Sequence, residues 1–155
     1  MTGYVPAPTV SPGPDVGWRL RLKFREPTWW IWAVLAELLI AGLAGHDTAR
    51  LAAMAIAAGQ ALVWVVRHRS VVDFATQVRV AYAVWMAASL FPAFTPLFWV
   101  QAAGTTLLVL FGYCPLARML LCLPVNRRVP LTLTRAARIF LHPPTSGSVL
   151  LQLKL

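Results

Sequence analysis

Residues 51–66 read LAAMAIAAGQALVWVV and run straight into Arg67, His68 and Arg69. The only polar side chain in that run is Gln60. A helix on the surface of a water-soluble bundle carries a polar stripe along its length, and this one has none. Trp64 near its end, followed by cations, is the pattern of a helix leaving hydrocarbon at headgroup level. Three further runs share the character: residues 28–45, 80–94 and 96–113. A span needs about 20 residues, with a usual range of about 17–25. These runs are short and become long enough only where flanking Trp and Arg side chains reach the interfaces. Trp29 and Trp30 stand at one end of the first run and Trp99 at the opposite end of the fourth, while Trp32 and Trp85 lie deeper, placed to pack between helices or face lipid.

Charge orients the runs. Of the 14 Lys and Arg, all but Arg50 lie in alternate connecting segments. Arg19, Arg21, Lys23 and Arg25 precede the first run; Arg67, Arg69 and Arg79 follow the second; Arg118, Arg127, Arg128, Arg135, Arg138 and Lys154 follow the fourth. The positive-inside rule then puts both termini in the cytoplasm. A 59% apolar composition with 12% charged residues and a mean hydropathy of +0.67 is too apolar for an ordinary soluble domain. The formal charge of +9 would suit nucleic acid if it sat on a polar face. Here the cations border apolar spans, so the expected partners are anionic lipid headgroups, met by Arg19, Arg21, Lys23, Arg25, Arg67, Arg69, Arg127, Arg128, Arg135 and Arg138.

The expected fold is an all-α integral membrane protein with four short transmembrane helices as two antiparallel hairpins and basic amphipathic interfacial helices at the C-terminus. Residues 1–26 form a disordered, then basic, interfacial tail. Within it Trp18, Leu20, Leu22 and Phe24 alternate with four cations, which fits a strand or a segment lying along the headgroups. Residues 1–17 show no basic n-region or apolar h-region, so the first run is expected to act as its own insertion signal. Residues 27–69 form the first hairpin, opening on Pro27 in the first helical turn, and residues 70–113 the second. Residues 114–155 are a cytoplasmic amphipathic segment. In it, residues 115–123 set Leu116, Met119, Leu120 and Leu123 against Arg118. Residues 131–141 likewise set Leu133, Ala137, Phe140 and Leu141 against Arg135 and Arg138. The matching Ala57-Ala58-Gly59 and Ala102-Ala103-Gly104 stretches are small-residue surfaces that let helix backbones approach.

Few residues suggest chemistry. Glu37 falls near the middle of the first run, where a charged carboxylate costs about 2.5–3.5 kcal/mol and marks a proton or ion path by default. Gln60 and Gln101 are its possible partners, and a neutral Glu37 hydrogen-bonded to Gln60 is the plainer structural reading. Cys114 precedes Pro115 and so caps a short helix, with Arg118 one turn on. A helix N-terminus and a nearby cation lower a thiol pKa, which makes Cys114 the candidate reactive thiol; the plainer reading is a small residue packing a helix end. His46, His68 and His142 do not converge, so no metal site and no cofactor is expected, and His46 with Asp47 reads as a polar cap for a turn.

Phe74-Ala75-Thr76-Gln77-Val78-Arg79, the Gly112-Tyr113-Cys114-Pro115-Leu116-Ala117-Arg118 stretch and Asn126-Arg127 together resemble the YgaP-like transmembrane domain family. The resemblance covers about residues 74–128. It implies a bacterial inner-membrane location, helix-hairpin packing and self-association, and no established reaction. The chain has an N-terminal hairpin beyond that pattern and no rhodanese domain. The expected function is a non-enzymatic inner-membrane scaffold or accessory subunit, packing as a homo-oligomer or against another membrane protein. The alternatives are an oligomeric minimal transporter or channel with Glu37 on the path, and a sulfur or redox relay through Cys114.

Overall fold

The structure is a computed structural model and describes residues 17–126 and 130–144. Among these residues the chain is helical throughout, with no strand: α1 Pro27–Leu43, α2 Asp47–His68, α3 Phe74–Ala88, α4 Thr95–Phe111, α5 Pro115–Leu121 and α6 Leu133–Leu141. Single 3-10 turns at Pro92–Phe94 and Pro124–Asn126 complete the order.

The boundaries follow local chemistry. Proline stands in the first turn of α1, α4 and α5, where its missing N–H and fixed φ cost nothing. Asp73 caps α3 by accepting the Thr76 N–H at 3.0 Å, and Thr132 caps α6 through Arg135 N at 3.3 Å. Gly112 ends α4 at φ 69°, a left-handed conformation natural to glycine. The third helix covers residues 74–88, whereas hydropathy alone places it at 80–94. The Asp73 cap starts it early, and Arg79 stays inside the helix by donating to the Ala75 carbonyl at 2.9 Å. The apolar residues after Ala88 turn into the 3-10 segment at Pro92 instead.

Two stretches, Asp47–His68 and Pro92–Phe111, are long and apolar enough to cross a bilayer, and α1 is apolar but shorter. At 1.5 Å per residue α3 is about 22 Å long, against a hydrocarbon core of about 30 Å.

α1 packs along both α2 and α4, and α2 along α3, while α3 and α4 touch far less although a short turn joins them. Trp29 Nε1 at the start of α1 donates to the Val109 carbonyl near the end of α4 at 3.0 Å, and Gly42 near the end of α1 meets Phe98 near the start of α4. The two helices are therefore antiparallel. Leu35, Leu39, Ala53, Ala57, Tyr82, Met86, Phe98 and Ala102 make the buried core. Of the alanines in the two matching stretches, Ala57 and Ala102 pack inward, while Ala58 and Ala103 are exposed. The glycines beside them do not bring helices together: a Cβ on Gly59 would meet nothing within 4 Å, and one on Gly104 would meet only the Pro115 ring, at 3.6 Å. The close approach is at Gly42 instead, where a Cβ would lie 2.6 Å from Arg50 Cγ and 3.0 Å from the Phe98 ring.

Both flanking segments are tied to the bundle. Residues 18–25 form no strand. They cross the end of α4, where Arg21 N donates to the Leu110 carbonyl at 2.7 Å and the Trp18 ring lies 5.1 Å from that of Tyr113. α5 does not set Arg118 on a polar side opposite its leucines. It packs against α3, sets Leu116 against the core and buries Arg118, while Met119 and Leu123 are exposed. α6 docks through the buried Ile139 and leaves Leu133, Ala137, Phe140 and Leu141 facing outward.

Candidate functional site

Where α3 and α4 make few contacts, a groove lies beside them, with α5 along its edge. Trp32, Tyr82, Trp85, Gln101, Thr105 and Cys114 are among its lining residues. Along the floor runs a polar ladder. Thr105 Oγ1 donates to the Gln101 carbonyl at 2.7 Å, so its single proton is used and Tyr82 Oη, 2.9 Å away, donates to it. Gln101 Nε2 reaches the Tyr82 carbonyl at 3.4 Å. These groups satisfy one another inside the bundle, as buried polar groups must.

The three polar candidates in the apolar helices do not converge. Gln101 is buried in the ladder, 6% exposed. Gln60 is half-buried on α2, and its Nε2 has no hydrogen-bond partner among the described residues. Glu37 is exposed on the opposite side of α1 from the buried Leu35 and Leu39. Among the described residues it makes no hydrogen bond or ion pair, so the Glu37–Gln60 pairing suggested by the sequence does not form. The spacing of residues along a helix predicts which share a face, but not which face turns to the core.

Cys114 caps α5 as its position before Pro115 predicts, with Sγ accepting the Ala117 N–H at 3.4 Å. Its expected activation is corrected. Burial pushes the thiol pKa up, and the Ala117 and Leu116 N–H groups and the Arg118 charge oppose that only in part. Helix-end dipoles lower a thiol pKa where water also stabilises the thiolate; here desolvation dominates.

Arg118 serves the fold. Its guanidinium donates to the Ile139 carbonyl and, at 3.4 Å, to that of Pro143, and it lies 4.2 Å from the Tyr113 ring centroid. Tyr113 Oη donates to the Phe140 carbonyl at 2.6 Å. Together they pin α6 to the end of α4. Nothing in the periodicity of residues 115–123 shows this, because the acceptors lie on another helix.

The remaining cations gather at this same end. Lys23 pairs with Glu26 at 2.9 Å, Arg21 Nη2 donates to the Pro144 carbonyl at 3.1 Å, and Arg79 stacks on Trp64 at 3.9 Å. Arg135 donates to the Pro130 carbonyl at 2.8 Å. Arg19, Arg25, Arg67, Arg69 and Arg138 are exposed. Arg127 and Arg128, like Lys154 and the first sixteen residues, lie outside the described residues. At the opposite end Arg50 stands with Asp47 at 3.8 Å, its guanidinium over Phe98. His46 Nδ1 lies 3.1 Å from the Ala41 carbonyl, which closes the turn. No group of three or more His, Cys, Asp or Glu that could hold a metal occurs among the described residues.

Comparison with family models, with curated proteins and with solved structures finds no match to this chain.

Proposed function

We propose that the chain is a non-catalytic scaffold or accessory subunit of a bacterial inner membrane, crossing it four times as two hairpins with both termini cytoplasmic. The observation that carries this reading is the distribution of its outer surface. Val34, Ile40, Leu62, Val63, Trp99 and Val100 are exposed along α1, α2 and α4, while the basic residues of separate segments meet at one end. An apolar belt with a cationic rim matches a bilayer with anionic headgroups on one side. The short α1 and α3 fit if their flanking aromatic and basic side chains extend into the interface. The proposed resemblance to YgaP-like domains agrees with membrane location and self-association, and the thin core leaves most helix faces for lipid or protein neighbours.

Two experiments test the reading. Reporters fused after Leu155 and inserted in the turn at residues 44–46 should report cytoplasm and exterior respectively; the reverse, or the same side for both, overturns the topology. The protein extracted in native lipid discs should weigh as a defined assembly, either several copies or a fixed-ratio complex. A lone monomer overturns the scaffold. A proton flux in proteoliposomes that Glu37→Gln abolishes would replace it with the transporter reading.

A further inference from the structure

The basic end carries more positive charge than the chain itself answers. Among the described residues its acids are Glu26 and Asp73, and both are engaged: Glu26 with Lys23 at 2.9 Å, Asp73 with the Thr76 N–H and hydroxyl at 3.0 Å. Arg25, Arg67, Arg69 and Arg138 are exposed, and among the described residues their guanidinium groups make no hydrogen bond or ion pair. The same end bears exposed apolar side chains from three separate segments: Leu20 and Phe24 before α1, Val71 and Val72 in the turn between α2 and α3, and Leu133 and Leu141 on α6. On α6 the need for cover is plainest. The helix is nine residues long, and its buried side chain is Ile139. Leu133, Ala137, Phe140 and Leu141, spaced i, i+4, i+7 and i+8, fall on one face. That face points outward, with Leu133 89% and Leu141 78% exposed. A helix this short does not hold itself in water. Tyr113 and Arg118 tie it down through the Phe140, Ile139 and Pro143 carbonyls, and they leave its apolar face uncovered.

We infer that α6 is an in-plane anchor for anionic phospholipid, its outward face entering the boundary between headgroups and acyl chains while Arg138, with Arg25, Arg67 and Arg69 around the same end, meets the phosphates. This rests on the membrane reading above and names the element and the lipid chemistry that hold the basic end. Charge chooses the occupant. Four exposed guanidinium groups without acidic partners call for anions, and anionic headgroups present them at the depth where an interfacial helix buries its apolar side. The pattern repeats around the end: Phe24 is followed by Arg25, Arg69 precedes Val71, and Arg138 stands one turn before Leu141. An arginine so placed lays its stem along hydrocarbon and keeps its charged head among phosphates. A protein docked on one patch covers one such pair. A lipid surface meets all of them.

The test uses the full chain in lipid discs of phosphatidylcholine alone or mixed with phosphatidylglycerol, with both native cysteines replaced by serine for labelling. In the mixed discs a fluorophore on Leu133→Cys should be quenched by nitroxide-bearing lipid and shielded from iodide. Arg138→Gln should lower the preference for retained phosphatidylglycerol over phosphatidylcholine about five-fold, read by mass spectrometry of the lipids that stay bound. Unchanged helix content shows that the fold survives, since Arg138 is exposed and holds no other element. A Leu133→Cys probe open to iodide in both discs, or a parent protein that retains the two lipids equally, overturns the inference but leaves the membrane reading standing. A probe shielded by a companion protein and untouched by lipid nitroxide overturns it in favour of that partner. A chain that never enters the discs removes both readings at once.

Discussion

The two ends of the bundle are held by different physics. At the end carrying the turn at residues 44–46, α1, α2 and α4 meet by close packing, with Gly42 admitting Arg50 and the Phe98 ring to distances that no side chain would allow. At the basic end the contacts are hydrogen bonds from long side chains to main-chain carbonyls: Trp29 to Val109, Arg21 to Pro144, Tyr113 to Phe140 and Arg118 to Ile139. The difference has a local cause. The turn end joins helices by short turns that leave few free carbonyls. At the basic end α4 stops and the chain doubles back through α5 and α6, exposing carbonyls that need donors. The teaching is that two of the arginines at this end, Arg21 and Arg118, are structural donors.

The contrast can be broken most strongly at Gly42. Gly42→Leu should cost about 3 kcal/mol or more by overpacking, seen as a lowered midpoint of thermal unfolding in detergent. Gly59→Leu, on an open face, should be neutral or stabilising by up to about 1 kcal/mol through helix propensity. Equal losses at both positions would mean that steric fit does not hold the turn end.

Next comes Arg118. Replacement by Met preserves much of its bulk but strips its donors, and should cost about 2–3 kcal/mol as buried carbonyls lose their partner. Hydrogen exchange should rise first in α6. If α6 keeps its protection, the basic end is packed and not pinned.

A smaller effect is expected in the groove. Tyr82→Phe should cost about 1 kcal/mol. Combined with Thr105→Val in a double-mutant cycle, the two losses should be less than additive. Additive losses would show that the ladder is not a unit.

The smallest effect concerns Asp73. The Thr76 N–H holds its carboxyl below the usual carboxylate value, with help from the Thr76 hydroxyl and His68 against a burial effect that raises it. A pKa lowered on folding means that the native state favours the charged form. The stabilisation is therefore full above the unfolded value of about 4 and is lost as pH falls through the lowered native value. An Asp73→Asn variant, still able to cap, should flatten that acid limb in an unfolding titration. An unchanged limb would place the titration elsewhere.

Much of the fold was legible in the chain. The apolar run before Arg67, broken only by Gln60, already implied α2, because hydropathy and length need no partner to be read. Pro27 and Pro115 announced the starts of α1 and α5, and Cys114 its capping role, since these are effects of neighbouring residues on one another. The third helix was displaced because a polar first turn, capped by Asp73 and carrying Arg79, looks like a loop to a hydropathy window. The site was less legible. Glu37 and Gln60 could be assigned to helices, but not to facing sides of them. Cys114 looked activated by the charge beside it, while its burial, which outweighs that charge, comes from residues distant in sequence.

What the sequence by itself determined is the local and one-dimensional part: helix identity, apolar character, the alternation of basic segments and the capping residues, all set by neighbours along the chain. Tertiary structure alone decided the rest. It decided that Gly42 and not Gly59 is the point of close approach, that α5 turns Arg118 inward to hold α6, and that Glu37 faces away from the core. Each depends on how one helix is rotated against another, and that rotation is chosen by the packing of all the helices together.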